Sequence, residues 1–218
     1  MTILLTAGAT REPIDQIRYV SNLGTGSTGA AVAGALAVRG HRLVLLRGQG
    51  AAPAPPGVES EAFTSAEDLR GRLQARLARG DIEAVVMTAA VADYRPVAAA
   101  AGKLSSEAES LTLALVRNPK LLPLLKSYSP RPVAVAGFKL TVGAGPAARR
   151  EAVAAQFRGG GVDLVVHNDL EEIRRAGAHP FRIYRTASAD PLEVSGAAAL
   201  ALALEAEFTH AHAGPLRR

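Results

Sequence analysis

Three stretches of this chain hold residues whose types and setting suit chemistry. The first is Leu4–Gly29 (LLTAGATREPIDQIRYVSNLGTGSTG). It offers Arg11 and Arg18 to anions, Asn22 as a side chain that both donates and accepts hydrogen bonds, and glycines where a ligand could touch backbone. The second is Ala89–Pro96 (AAVADYRP), which carries Asp93 and Tyr94. Asp93 suits a metal ligand, a partner for a ribose hydroxyl or a turn cap. The third is Lys103, which follows the alanine-rich run Pro96–Gly102. A lysine in that setting is either solvated or delivered to a site by a lid.

Other chemistries find little support. With no cysteine there is no thiolate nucleophile, disulfide or cysteine zinc site, and the chain suits a reducing compartment. The five histidines (41, 167, 179, 210 and 212) show no metal-binding spacing, and no metal ligand is assigned. No serine sits in a Gly-x-Ser-x-Gly elbow. Gly24-x-Gly26-x-x-Gly29 reads as a dinucleotide fingerprint, but such a fingerprint belongs directly between the first strand and its helix. Here it lies far downstream, and Arg47 stands where an acidic residue is expected. An NADP phosphate could still use Arg47, so an NAD(P)-dependent reductase remains an alternative. The glycines equally suit backbone amides at a helix N-terminus approaching some other phosphate.

The elements that must position these residues alternate between apolar runs and helical patterns, the signature of an α/β fold with a mostly parallel sheet flanked by helices on both faces. Strands are expected at Thr2–Thr6, Arg42–Leu46, Val58–Ala62, Ala84–Thr88, Val133–Phe138, Val162–Val166 and Phe181–Thr186, with an edge strand at Ser110–Val116. Helices are expected at Thr28–Arg39, from a Ser65 cap to Arg79, from Asn118-Pro119 to Ser127, at Gly145–Arg158, and from a Ser195 cap to His210. The long first loop should be anchored by Ile14, Ile17, Tyr19 and Val20. Residues 1–210 are read as one domain, and 211–218 as a frayed tail.

The net charge of +5, from 25 Lys+Arg against 20 Asp+Glu, is scattered, and aromatics make up only 4%. That argues against nucleic-acid binding and for a small phosphorylated substrate. No leader opens the chain and no apolar run is long enough to span a bilayer, so a cytoplasmic protein without membrane contact is expected.

Taken together, Thr6–Asp15 (TAGATREPID), Arg18–Asn22 (RYVSN), Ala89–Pro96, Asn118-Pro119, Gly137–Lys139 and Asn168-Asp169 resemble the phosphopantothenate–cysteine ligase (phosphopantothenoylcysteine synthetase) domain of coenzyme A biosynthesis. The resemblance implies a Rossmann-like domain, a homodimer and a Mg2+-dependent reaction. In it, 4'-phosphopantothenate is activated by CTP, or less commonly ATP, and then joined to cysteine. It further implies Asn22 and Lys103 as catalytic residues, and Gly8, Arg18, Asn22 and Ala90 as substrate-binding. Met87, Thr88, Ala89, Asp93, Lys103, Pro119, Lys120, Leu121, Leu122 and Phe138 would bind the nucleotide. A separate flavin-dependent decarboxylase is an expected partner. Gln156 and Gly160 stand where two triphosphate-binding lysines are expected, leaving Lys139 or Arg158 to compensate. A relative that binds ligand without ligation is the other alternative.

Overall fold

The computed structural model describes residues 1–213. Twelve strands are β1 (Thr2–Ala7), β2 (Arg11–Pro13), β3 (Tyr19–Ser21), β4 (Arg42–Gly48), β5 (Glu59–Phe63), β6 (Ala84–Met87), β7 (Tyr94–Pro96), β8 (Leu115–Arg117), β9 (Ala134–Thr141), β10 (Leu164–Asp169), β11 (Pro180–Tyr184) and β12 (Leu192–Ser195). Six helices are α1 (Ser27–Val38), α2 (Ala66–Leu77), α3 (Leu125–Tyr128), α4 (Pro146–Arg158), α5 (Leu170–Arg175) and α6 (Gly196–Ala213), with a 3-10 turn at Leu122–Leu124.

Eight strands form one sheet in the order β12-β11-β10-β9-β6-β1-β4-β5. Its strands from β10 through β5 pair in parallel, and β11 and β12 add antiparallel. This is a mostly parallel, Rossmann-like sheet. Sequential order reverses between β1 and β6, and a ligand crevice belongs beyond the carboxyl ends at such a point.

Alternation sorts the core into two layers. Ile3, Leu5, Leu43, Leu45, Val86 and Ala136 face Val32, Leu36, Leu200 and Leu204 of α1 and α6. Leu4, Val44, Leu46, Val85 and Val135 face Leu69, Leu73 and Leu77 of α2 and Leu125 of α3. Helix α2 begins as expected, with Ser65 Oγ accepting from Asp68 N. Among the described residues no helix is long and apolar enough to cross a membrane.

Several expected elements differ. Of Ser110–Val116, only Leu115 and Val116 are strand; they begin β8, which pairs with β7 in a separate ribbon away from the main sheet's edge. Its upstream residues alternate in polarity but have no surface to bury against. The expected helix through Ser127 starts as a 3-10 turn, in which Leu124 N donates to Leu121 O at 3.0 Å and Pro123 occupies a first-turn position that needs no amide hydrogen. The strand expected to end at Val166 runs on to Asp169, whose side chain then caps α5 by accepting from Glu171 N and Glu172 N. The strand expected at Phe181–Thr186 is antiparallel, and Ser195 closes the unforeseen β12 and directly precedes α6, where the last helix is expected to begin. Residues 211–213 of the expected tail continue α6, and 214–218 lie outside the described residues.

At the β5 edge, Glu59 and Glu61 point toward α2, where Arg76 pairs with both. The Arg76 side chain is only 9% exposed.

The first loop is anchored differently from the sequence expectation. Ile17 and Tyr19 are exposed, at 60% and 47%. The loop folds into the β2–β3 ribbon and is held instead by buried polar groups: Thr10, Glu12 and Asp15. Glu12 Oε1 accepts from Ala66 N, the first amide of α2, at 2.9 Å. Removing that acceptor leaves a buried donor unpaired, at a cost of about 1–3 kcal/mol. Glu12→Ala should therefore lower the thermal midpoint by roughly 2–12 °C, at about 2–4 °C per kcal/mol for a chain of this size, as read by circular dichroism.

Candidate functional site

The crevice is built by two loops that leave the carboxyl ends of β1 and β6 and bond to each other. Gly8 turns the chain with φ +82°. Ala90 N donates to Gly8 O at 2.8 Å and Thr10 N to Ala90 O at 3.3 Å. Two buried threonines complete the join: Thr6 Oγ1 accepts from Ala89 N and Thr10 Oγ1 from Ala92 N. Thr88 Oγ1 donates back to Thr6 O at 2.5 Å.

Helix α1 is drawn onto this joint by glycines. A Cβ on Gly29 would lie 2.6 Å from Thr88 Oγ1 and 2.7 Å from Ala7 Cβ, and one on Gly24 would lie 2.9 Å from Ala90 Cβ. Gly26, the N-cap residue, has φ +76° and offers no side-chain cap. The first-turn amides of α1 therefore stand at the crevice with little to satisfy them besides a long 3.4 Å contact from Ser27 N to Thr25 Oγ1. Such a terminus favours an anion. Asn22 Nδ2 reaches Val91 O at 3.4 Å, beside the same joint. Gly8, Asn22, Thr88, Ala89 and Ala90 thus come together.

The β2–β3 ribbon lies between β1 and α1, so the tight strand-to-helix turn that a dinucleotide fingerprint needs is missing. That weighs against the reductase alternative.

On the α2–α3 side, Met87 and Leu121 are buried in the core and Ala89 and Leu122 pack against it. Asn118 is clipped to the same loop: its N donates to Asp93 O and its Nδ2 to Ala92 O at 2.9 Å. Asp93 itself is exposed and pairs with Lys120. Phe138 lies on the opposite face of β9, where its ring meets Phe181 edge-on at 6.3 Å. His179 stacks on Phe181 at 4.1 Å and bonds Asn168 at 2.9 Å. The expected nucleotide residues therefore flank β9 from both sides.

The two candidate replacement cations are told apart. Arg158 is engaged by Glu151. Lys139, half-buried, forms no hydrogen bond or ion pair among the described residues and follows Gly137 by two positions on the same face. Buried Gln156 Nε2 also lacks a partner, and a Cβ on Gly137 would sit 2.5 Å from it.

Lys103 is exposed and has no partner among the described residues, but its arm is docked rather than loose: Ala100 N donates to Ile14 O at 2.9 Å and Gln16 Nε2 to Ala101 O at 2.7 Å. Arg18 Nη1 donates to Asp15 Oδ2 at 3.0 Å and to Leu104 O at 3.1 Å. Sequence reasoning gave Asp15 no role of its own; a carboxylate three residues before an arginine in a turn was the available signal. Among the described residues no group of three or more His, Cys, Asp or Glu side chains could hold a metal ion.

A polar cluster missed by sequence braces the carboxyl end of β10. Asp169 accepts from Gly143 N, Ala144 N and Thr141 Oγ1. Burial would raise its pKa, but these donors and Glu171 N hold it far below the usual carboxylate range. Because Thr141 donates to Asp169, its oxygen accepts from His167 Nε2 at 2.8 Å, which fixes the Nε2–H tautomer. Nδ1 of His167 is then a buried acceptor without a partner among the described residues.

A family model described as the DNA/pantothenate metabolism flavoprotein C-terminal domain matches residues 1–189. The chain is 34% identical over 141 residues to the coenzyme A biosynthesis bifunctional protein CoaBC of Escherichia coli K12, covering 63% of this chain and 34% of that protein. To the protein of the same name from Mycobacterium tuberculosis H37Rv it is 35% identical over 179 residues, covering 79% and 42%. It thus spans well under half the length of these relatives. The crystal structure of the DNA/pantothenate metabolism flavoprotein from Streptococcus pneumoniae superposes with a TM-score of 0.85 at 25% identity, covering 97% of this chain and all of that one.

Burial, followed by the nearby Arg149 and Arg182 charges, pushes the His167 pKa down to about 4 from 6.5. The unfolded chain therefore binds the proton first, and stability present above pH 6.5 is lost as pH falls toward 4. His179, lowered by burial, adds in the same direction. His167→Gln keeps an N–H for Thr141 but cannot titrate. It should flatten part of the pH dependence of the thermal midpoint between pH 6.5 and 4.

Proposed function

The chain belongs to the DNA/pantothenate metabolism flavoprotein C-terminal domain family, and from that premise we propose that it is a phosphopantothenate–cysteine ligase. One observation carries the reading: glycine contacts seat the uncapped N-terminus of α1 against the joined loops, so anion-binding amides, Asn22 and Ala90 share one crevice.

In this reading the carboxylate oxygen of 4'-phosphopantothenate attacks the α-phosphorus of a nucleoside triphosphate, and pyrophosphate leaves. The amine of cysteine then attacks the acyl carbon of the acyl-nucleotide. A C–N bond forms, the nucleoside monophosphate departs and the amine loses a proton to solvent. Such chemistry needs positioning and positive charge rather than a protein nucleophile. Gly8, Arg18 and Ala90 bind phosphopantothenate, and Asn22 holds the acyl intermediate. Met87, Thr88, Ala89, Asp93, Pro119, Lys120, Leu121, Leu122 and Phe138 line the nucleotide site, with CTP preferred to ATP. Lys103 stabilises charge developing in the activation step.

Mg2+ keeps most of its waters and binds through phosphates plus one or two carboxylates. The exposed Asp93 carboxylate, paired with Lys120 in this structure, would supply one such ligand on leaving that pair, and the ion would neutralise charge on the triphosphate. Lys139 takes the place of the expected triphosphate lysines.

We propose a homodimer as the working form. The adjoining β2–β3 and β7–β8 ribbons expose Ile17, Tyr19, Tyr94, Leu115 and Val116, which gives a second copy an apolar surface. The decarboxylation that consumes the product belongs to a flavin-dependent partner activity, and the location is cytoplasmic.

The test is pyrophosphate release from purified protein given 4'-phosphopantothenate, cysteine and Mg2+, with CTP compared to ATP. Release that requires phosphopantothenate supports the ligase and names the nucleotide. Tight nucleotide binding with no release would favour a family member that has lost ligation. Lys103→Gln should slow acyl-nucleotide formation by roughly 10²–10³-fold, as loss of one preorganised charge stabiliser does, without altering the far-UV spectrum. Lys139→Ala removes a charge-assisted contact of roughly 1.5–3 kcal/mol and should raise the nucleotide KM about tenfold or more; an unchanged KM would remove Lys139 from the site.

A further inference from the structure

The arm that carries Lys103 is fastened on both sides of that lysine to one turn of the first loop. Upstream, Ala100 N and Ala101 O bond Ile14 O and Gln16 Nε2. Downstream, Leu104 is gripped twice: its N donates to Asp15 Oδ2 at 3.1 Å, and its O accepts from Arg18 Nη1 at 3.1 Å.

Asp15 is the centre of this fastening, and its side chain is wholly buried. Its two oxygens do different work. Oδ1 accepts from Ile17 N at 2.9 Å and Arg18 N at 2.7 Å, which builds the turn. Oδ2 accepts from the Arg18 guanidinium and from Leu104 N, which ties the arginine and the arm together. All four partners are donors, and only an acceptor-only ionised carboxylate satisfies them all. The amide of Ile17, followed by those of Leu104 and Arg18, accordingly keeps the carboxyl below its usual range despite burial.

We infer that Asp15 is a positioning residue for ligation: through Oδ2 it fixes the Lys103 arm against Arg18, so the activating cation and the anion-binding arginine meet the substrate as one preformed unit. The inference rests on the ligase reading, which gives Lys103 and Arg18 their roles. An arm of alanines and glycine has little packing of its own to order it: Ala100 is half-buried, and Val97, Ala98, Ala99, Ala101 and Gly102 are exposed. Without the tie, each turnover would have to order the arm anew, and a misplaced catalytic group costs rate rather than binding.

Asp15→Asn separates the two oxygens. The asparagine Oδ1 can keep the turn amides, while its Nδ2 faces two donors and cannot accept from either. The first readout is limited trypsin digestion of the full chain, with cleavage of the Lys103–Leu104 bond followed by mass spectrometry and other tryptic sites as internal controls. Cleavage at that bond should quicken about tenfold or more in Asp15→Asn, and by less in Gln16→Ala, which removes only the exposed Ala101 anchor.

The second readout is kinetic. Asp15→Asn should lower kcat by up to roughly 10²-fold with the nucleotide KM unchanged, and should add no further loss in a Lys103→Gln background. A folded Asp15→Asn protein with unchanged cleavage, or with losses that multiply independently of Lys103→Gln, overturns the inference. If Asp15→Asn does not fold, Gln16→Ala alone decides: no quickening at Lys103–Leu104 rejects the clamp. Wild-type protein that releases no pyrophosphate while the digestion behaves as expected rejects the ligase reading, and the catalytic role with it, and leaves the clamp itself supported.

Discussion

Two buried hydroxyls hold the crevice open to ligands and closed to collapse. A parallel sheet leaves strand ends whose following loops must satisfy their own backbone groups away from water. Thr6 and Thr10 solve this for the loops after β1 and β6 by accepting the amides of Ala89 and Ala92. These side-chain bonds flank a short parallel bridge of Ala9 against Ala90, made by Ala90 N to Gly8 O and Thr10 N to Ala90 O, so the two loops are held together by backbone and hydroxyls alike. Helix α1 can then rest on the joint, provided that the residues at contact lack a Cβ. Gly24 and Gly29 meet that condition, and everything proposed for Asn22, Ala90 and the first-turn amides follows from it.

A second constraint operates further along the sheet. Strands β9 and β10 extend beyond β6, so their last residues stand as a wall at one side of the crevice. Strict alternation sends Phe138 to the α1–α6 face, while Gly137 faces Gln156 and Leu122. The wall is stiffened at its tip by Asp169, which draws the 143–144 turn, Thr141 and the start of α5 onto one carboxylate. Buried charge is tolerated there because every lone pair has a donor.

The parallel core was legible because its strands, buried on both faces, read as short unbroken apolar runs between helical patterns. The Ser65 cap and the breaks at Gly40 and Gly159 were legible for the same local reason. What escaped were elements whose definition is non-local. Strand β12 pairs with β11 alone, and the 110–114 segment stays outside β8 with a single bond at its end, Val97 N to Ala114 O. The site divides along the same line. Asn22, Asp93 and Lys103 stood out by type and setting after strands. Asp15 and Glu12 did not, since their meaning lies in partners at Leu104 and Ala66, far along the chain. Apolar residues were expected to anchor the first loop, yet carboxylates do so, because a loop of backbone donors is best fixed by acceptors.

The sheet has to stop somewhere, and β5 is where it stops. An outer strand with free backbone groups invites any extended chain to join it, which is how soluble proteins come to precipitate. Here Glu59 and Glu61, both partly exposed, reach toward α2 and pair with Arg76. A visiting strand would have to settle beside carboxylates already committed to a nearly buried guanidinium, and could not flatten the edge without breaking that pairing. The same three side chains that read as an ordinary ion pair thus act as a terminator of sheet growth. Strand pairing at the β5 edge is thereby disfavoured.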